Sequence, residues 1–210
     1  TVTPGAMMKD GNIYRMYYNG WSNQYGIWHI GLATSTDGVN WEKHPQPILS
    51  GTSGWEYQIG ASSVIKKDSI YYLYYYGRNL PNYKIGVATS TDGITFTRYQ
   101  GNPILTNQEN WELNGVLYAS VIEQNTQLQM VFMNSNGTGV GIANSSDGLN
   151  WTKANNNPFY TNENTANGWA AGKIAYPNFL KVPNEIRIYY SGYNYSSQYL
   201  KIGMMRKSNN

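Results

Sequence analysis

Residues 30–49 read IGLATSTDGVNWEKHPQPIL, and residues 85–105 read IGVATSTDGITFTRYQGNPIL. The frame Ser-Xaa-Asp-Gly-Xaa-Xaa-aromatic returns a third time from Ser145 to Trp151. Asp37, Asp92 and Asp147 stand 55 residues apart (92 − 37 and 147 − 92), and Gly31, Gly86 and Gly141 keep the same step. A proline-led apolar triplet follows each motif (Pro47-Ile48-Leu49, Pro103-Ile104-Leu105, Pro158-Phe159-Tyr160), and then a tryptophan: Trp55, Trp111, Trp169. Three features in one register identify an internal repeat, which has to be read before any single motif.

Each unit reads as four short strands. Strand A is small and apolar (Gly5 to Met8, Ser62 to Ile65, Ala119 to Ile122, Pro177 to Leu180), and strand B is aromatic (Tyr14 to Tyr18, Tyr71 to Tyr76, Leu128 to Met133, Ile186 to Tyr190). Strand C contains the repeated glycine (Ile30 to Thr34, Ile85 to Thr89, Val140 to Asn144, and Ile202 to Met205 in the fourth unit), and strand D runs from the motif aromatic to the proline triplet. Strand B is nearly continuous in large side chains, as in sheets covered on both faces. No helical period of ten or more residues stands out. The expectation is therefore an all-β chain, a β-propeller of four visible blades with repeats at about 1–51, 52–107, 108–162 and 163–210, forming one domain. The fourth repeat stops after strand C. Either a trimmed fourth blade closes the ring, or a further blade precedes Thr1, as in a five-bladed protein.

Composition agrees and narrows the partners. Charged residues are 13% of the chain, about half the usual ~25%, while aromatics are 15%, 20 of them tyrosines. Aromatic side chains suit a pleated, packed surface. The net charge of +3 comes without a basic cluster beyond Lys66-Lys67 and Arg206-Lys207, which speaks against nucleic acid. No apolar run approaches a membrane span, and no signal peptide is visible at Thr1. The chain has no cysteine, so disulfides and thiolate chemistry are excluded. His29 and His44 lack metal-ligand spacing. No metal and no cofactor are expected.

Blade geometry sorts the carboxylates. Asp10, Asp68, Glu123 and Glu185 fall at A–B turns, and Asp37, Asp92, Asp147 and Glu42 at C–D turns. Loops gather at the opposite end, where ligands usually bind. That end keeps Glu56, Glu109, Glu112 and Glu163. Glu56 and Glu112 each follow a repeated tryptophan and are the candidate catalytic pair, because glycoside cleavage typically uses two carboxylates. The competing reading is that they cap loops or bind hydroxyls. The Asp-Gly motif itself is read as a turn, its carboxylate accepting local N–H groups.

The loop-rich end is also aromatic, which suits sugars with apolar C–H faces and hydroxyl rims. Candidate substrate-binding residues are Trp21, Tyr25, Trp28, Trp55, Tyr57, Arg78, Trp111, Tyr118, Trp169, Tyr176 and Asn178. The repeated Trp55, Trp111 and Trp169 equally suit wedges between blades. Trp21, Tyr25 and Trp28 lie outside the repeat and are the better ligand contacts.

With the repeat in place, residues 30–49 and 85–105 resemble the blades of the arabinanase/β-fructosidase-like glycosidase propellers, the furanosidase-type glycoside hydrolases, which are usually five-bladed and act on glycans. The turn motif is similar to the sialidase Asp-box. The resemblance implies catalytic acids at the start of strand A. The matching segments are Pro4-Gly5-Ala6, Ala61-Ser62-Ser63, Tyr118-Ala119-Ser120 and Tyr176-Pro177-Asn178, and none holds an acid. The leading expectation is a glycoside hydrolase-like propeller binding an oligosaccharide or polysaccharide, with Glu56 and Glu112 as acid and partner. A lectin-like propeller without catalysis and a protein-interaction scaffold are the alternatives. The expected location is secreted or cell-surface, in a bacterium.

Overall fold

The computed structural model describes residues 1–23, 26–195 and 200–208. The chain forms two compact units, Thr1–Leu105 and Thr106–Asn210, each built of two antiparallel sheets. The division falls beside the expected boundary between the second and third repeats. Among the described residues no helix is long and apolar enough to cross a membrane.

Each sheet is one blade, and each meanders A-B-C, followed by a strand D in blades 1 to 3. Blade 1 has strands Val2–Asp10, Ile13–Ser22 and Ile27–Ser35, and blade 2 has Gln58–Lys67, Ile70–Asn79 and Asn82–Ser90. Blade 3 has Val116–Gln124, Gln127–Asn134 and Gly139–Ser145, and blade 4 has Lys173–Val182, Glu185–Tyr193 and Lys201–Ser208. Strand D is where sequence and structure part. It is reduced to Glu42–Lys43 with Leu49–Ser50 in blade 1, Thr97–Arg98 in blade 2, and Thr152–Lys153 with Tyr160–Thr161 in blade 3. In blades 2 and 3 a turn interrupts strand D ahead of the proline, where Asn102 N–H donates to the Tyr99 carbonyl at 3.1 Å and Asn157 N–H to the Ala154 carbonyl at 3.3 Å, and the proline itself has no N–H for the ladder. Blade 4 shows three strands among the described residues.

The aromatic B strands lie inside, as their composition predicts. Tyr71, Leu73, Tyr74 and Tyr75 of blade 2 are all at most 3% exposed. Blades 1 and 2 share one core containing Tyr17, Leu32, Ile59, Leu73 and Tyr75. Buried polar groups stitch the same two blades: Ala61 N–H donates to Asn19 Oδ1 at 2.7 Å, and Tyr17 Oη to the Gly93 carbonyl at 2.9 Å. Blades 3 and 4 share another core around Val131, Val140, Ile174 and Tyr190.

The Asp-Gly motif is a structural turn. In blade 1, Asp37 Oδ1 accepts the N–H groups of Val39 and Asn40, both at 2.8 Å. Ser35 Oγ accepts those of Asp37 and Gly38, and Trp41 Nε1 donates to the Gly38 carbonyl. Asp92 and Asp147 repeat the pattern. These N–H groups hold the Asp37 and Asp92 carboxyls far below their ordinary pKa of 3.8. Gly38, Gly93 and Gly148 take φ of 76, 72 and 79°, which a residue with a Cβ adopts only under strain.

Candidate functional site

In every blade strand A carries a bulge near its start. The register breaks between Thr3 and Ala6, Ala61 and Ser63, Leu117 and Ser120, and Ala175 and Asn178. These are the segments where the resemblance implies catalytic acids, and the structure puts Pro4, Ser62, Tyr118 and Tyr176 there instead.

The repeated tryptophans form a second layer beside the bulges. Trp55 stacks on Tyr75 with centroids 6.0 Å apart and planes at 8°. Trp111 stacks on Phe132 at 5.9 Å, and Trp169 on Tyr190 at 5.7 Å. Each lies over two glycines, where any Cβ would strike it: Gly77 and Gly86, Gly139 and Gly141, Gly192 and Gly203. This explains the repeated glycine at Gly86 and Gly141, while at Gly31 the Tyr18 ring fills the corresponding space, and it makes the three tryptophans wedges inside their blades.

The glutamate after each wedge turns inward too. Glu56 pairs with Arg98, Oε1 to Nε, at 3.1 Å. Its Oε1 also accepts a short hydrogen bond from Tyr75 Oη, and Oε2 lies 3.4 Å from Thr52 Oγ1. Glu112 is fully buried. Its Oε1 faces Lys153 Nζ at 2.5 Å, and its Oε2 accepts the N–H groups of Gln108 at 2.5 Å and Glu109 at 3.0 Å. Arg98 Nη2 goes on to the Ser50 carbonyl, and Lys153 Nζ to the Thr106 carbonyl at 2.7 Å. General acid or base work needs a group within reach of substrate. Glu112 has no exposed surface, and Glu56 is 12% exposed with its oxygens engaged. Both glutamates are held in ion pairs within their own blades, an arrangement that favours the reading of them as structural staples over the expected pair of acid and partner.

Sequence reasoning passed over Arg98 and Lys153, although a signal existed. They stand 55 residues apart (153 − 98), each following a threonine in the stub of strand D. Lys43 holds the same step in blade 1, where it is exposed and lies over the Tyr18 ring at 5.8 Å.

The remaining candidates fall into two groups, one per unit. In Thr1–Leu105, Trp21 and Trp28 face each other across a hairpin, rings 5.7 Å apart. His29 Nδ1 and Ser50 Oγ share a hydrogen bond of 2.9 Å, and burial lowers the imidazole pKa. Arg78 is tied to Gln58, and Tyr57 is 48% exposed. Tyr25 lies outside the described residues. In Thr106–Asn210, Tyr118 and Tyr176 meet edge to face at 4.6 Å, with Asn178 exposed two residues on. Among the described residues no three His, Asp or Glu side chains gather as a metal-holding group.

Bulged antiparallel blades, three of them wedged by tryptophan, give the chain the fold of the glycosidase propellers. Solved structures of that class match nearly the whole chain. A member of a mannoside phosphorylase family, in a study of glycoside hydrolases targeting β-1,2-mannosidic linkages in Candida mannan, aligns at TM-score 0.72 and 16% identity over 96% of this chain and 65% of its own. A β-fructofuranosidase of Bombyx mori aligns at 0.73 and 18% over 99% and 46%.

The chain belongs to glycoside hydrolase family 130: the family profile described as β-1,4-mannooligosaccharide phosphorylase matches residues 3–157. This replaces the furanosidase-type assignment with a mannoside-active family and keeps the architecture. A 1,2-β-oligomannan phosphorylase of Thermoanaerobacter is 28% identical over 66% of this chain. An uncharacterized protein of Mycobacterium tuberculosis is 29% identical over 65%. The chain spans about half the length of these relatives, 46% and 48%.

Proposed function

We propose that this chain is the β-mannooligosaccharide-binding propeller of a glycoside phosphorylase. The observation that carries the reading is the family match across residues 3–157, which runs through three blades and their strand-A bulges. In phosphorolysis an oxygen of inorganic phosphate bonds to the anomeric carbon as the C1–O bond to the next sugar breaks. The departing oxygen takes up a proton, leaving a mannosyl phosphate and a shortened oligosaccharide. In this reading the exposed aromatics meet the sugar rings, and Arg78, whose planar guanidinium suits phosphate, is the cation near the loop-rich end of blade 2. The test is to incubate the full chain with β-1,4- and β-1,2-mannotriose, with and without phosphate, and to quantify mannose 1-phosphate and free mannose. The expected result is mannose 1-phosphate formed only when phosphate is present.

A second reading, glycan binding without catalysis, draws on a specific observation. The four bulge segments contain no carboxylate, and the two post-tryptophan glutamates are held in ion pairs. Oligosaccharide binding by calorimetry with neither product formed would select it. Absence of both binding and turnover would overturn both readings.

A further inference from the structure

Tyr118 and Tyr176 occupy the same place in consecutive blades. Each is the first of the two extra residues in its strand-A bulge, opposite Phe132 in blade 3 and Tyr190 in blade 4. Both adopt left-handed backbone, φ 51 and 55°. That region penalises a bulky side chain and is open to glycine. Strain of this kind persists where something other than local folding selects it, most often at a ligand site. The surrounding fold does not require tyrosine there, since blades 1 and 2 make the corresponding bulge with Pro4 and Ser62. Packing does not account for Tyr176 either, which is 53% exposed, while Tyr118 beside it is half-buried.

The two rings meet edge to face, centroids 4.6 Å apart and planes at 63°. The two rings thus brace each other. Pro177, the second extra residue of the bulge, is buried, and Asn178 is exposed. Along this short stretch exposure alternates, which sets Tyr176 and Asn178 toward one side of the strand.

We propose that Tyr118 and Tyr176 form a sugar-stacking platform, with Tyr176 against the apolar face of a β-mannopyranosyl unit and Asn178 hydrogen-bonding its hydroxyls. The inference rests on the mannoside reading above and adds the residues and the anomeric preference. In the chair form of a β-mannoside, the axial hydrogens on C1, C3 and C5 share one face while the axial 2-hydroxyl projects from the other. The first face suits an aromatic ring, which offers an apolar surface and a polar tip. An α-mannoside places its axial glycosidic oxygen on that same face and loses the contact. The asparagine amide is both donor and acceptor, as vicinal hydroxyls require.

The experiment measures affinity and melting temperature together on the full chain, with β-1,4-mannotriose and α-1,2-mannobiose as probes. Tyr176→Gly releases the backbone strain while removing the ring. It is expected to keep or raise the melting temperature and to weaken β-mannotriose binding about tenfold, while Tyr176→Phe keeps native affinity and the α-linked probe binds more weakly than the β-linked one. Unchanged affinity in Tyr176→Gly, while the native chain binds and turns over mannotriose, overturns the platform and leaves the phosphorylase reading standing. Tyr176-dependent binding without mannosyl phosphate supports the platform and removes the phosphorylase. A lowered melting temperature with native affinity marks a purely structural tyrosine and also overturns the proposal. A native chain that binds no β-mannoside overturns both.

Discussion

Blades 2 and 3 carry the same device at different depths. In blade 2, Glu56 is 12% and Arg98 29% exposed. In blade 3, Glu112 is fully buried and Lys153 8% exposed. Each glutamate follows a wedge tryptophan and meets the basic residue of its own strand-D stub. Blade 4 gives the control: Trp169 stacks on Tyr190 as in the other blades, but the next residue is Ala170, fully buried, and no strand-D stub is found among the described residues. The wedge is thus common to three blades, while the carboxylate accompanies a basic partner. That pairing is the mark of an architectural ion pair. The difference in burial predicts how much each pair matters, because a charge left alone in the interior cannot recover its hydration.

The largest effect is expected in blade 3. Lys153→Met strands the Glu112 carboxylate and is predicted to lower unfolding free energy by about 3–5 kcal/mol. Arg98→Met leaves Glu56 with Tyr75 and some water, and its predicted cost is about 1–2 kcal/mol. Urea titration of both variants checks the ranking, and equal losses would break the comparison. Adding Glu112→Leu to Lys153→Met should restore much of the stability, since the uncompensated charge goes with it.

The smallest effect is on the acid limb. Asp92 has a depressed carboxyl pKa because Thr95 and Ile94 N–H groups and the Ser90 hydroxyl bond its charged form. A carboxyl whose folded pKa lies below its ordinary 3.8 binds fewer protons when folded. It contributes stability that is present above that ordinary value and lost as pH falls below it toward the folded pKa. Asp92→Asn should therefore flatten the fall of melting temperature below about pH 4 and leave the neutral-pH shape unchanged. A variant that melts with the native acid profile would show that the turn carboxylate is not linked to folding.

Much of the fold was legible because its signals are local and repeated. The Ser-Xaa-Asp-Gly turn encloses its own hydrogen bonds within six residues, from Ser35 to Asn40, so spacing alone exposes it. The aromatic B strands announce burial on both faces. Strand D was overestimated because its two ends read as β while a turn breaks it between them, at Tyr99 to Asn102 in blade 2 and Ala154 to Asn157 in blade 3. The candidate site was harder to read. Sorting carboxylates by face singled out Glu56 and Glu112, yet face says nothing about which way a side chain turns. Their partners lie 42 residues on at Arg98 and 41 on at Lys153, a separation no local pattern reveals. The tyrosine pair shared the difficulty in reverse: Tyr118 and Tyr176 break a small, apolar strand start, but only their φ and exposure distinguish them from core residues.

The most direct test of the staple assignment is Glu56→Gln, followed through melting temperature and β-1,4-mannotriose affinity on one preparation. The account predicts a lowered melting temperature with affinity within about threefold of native, a shift under ~0.7 kcal/mol. An unchanged melting temperature with binding or turnover abolished would contradict it and return Glu56 to the chemistry.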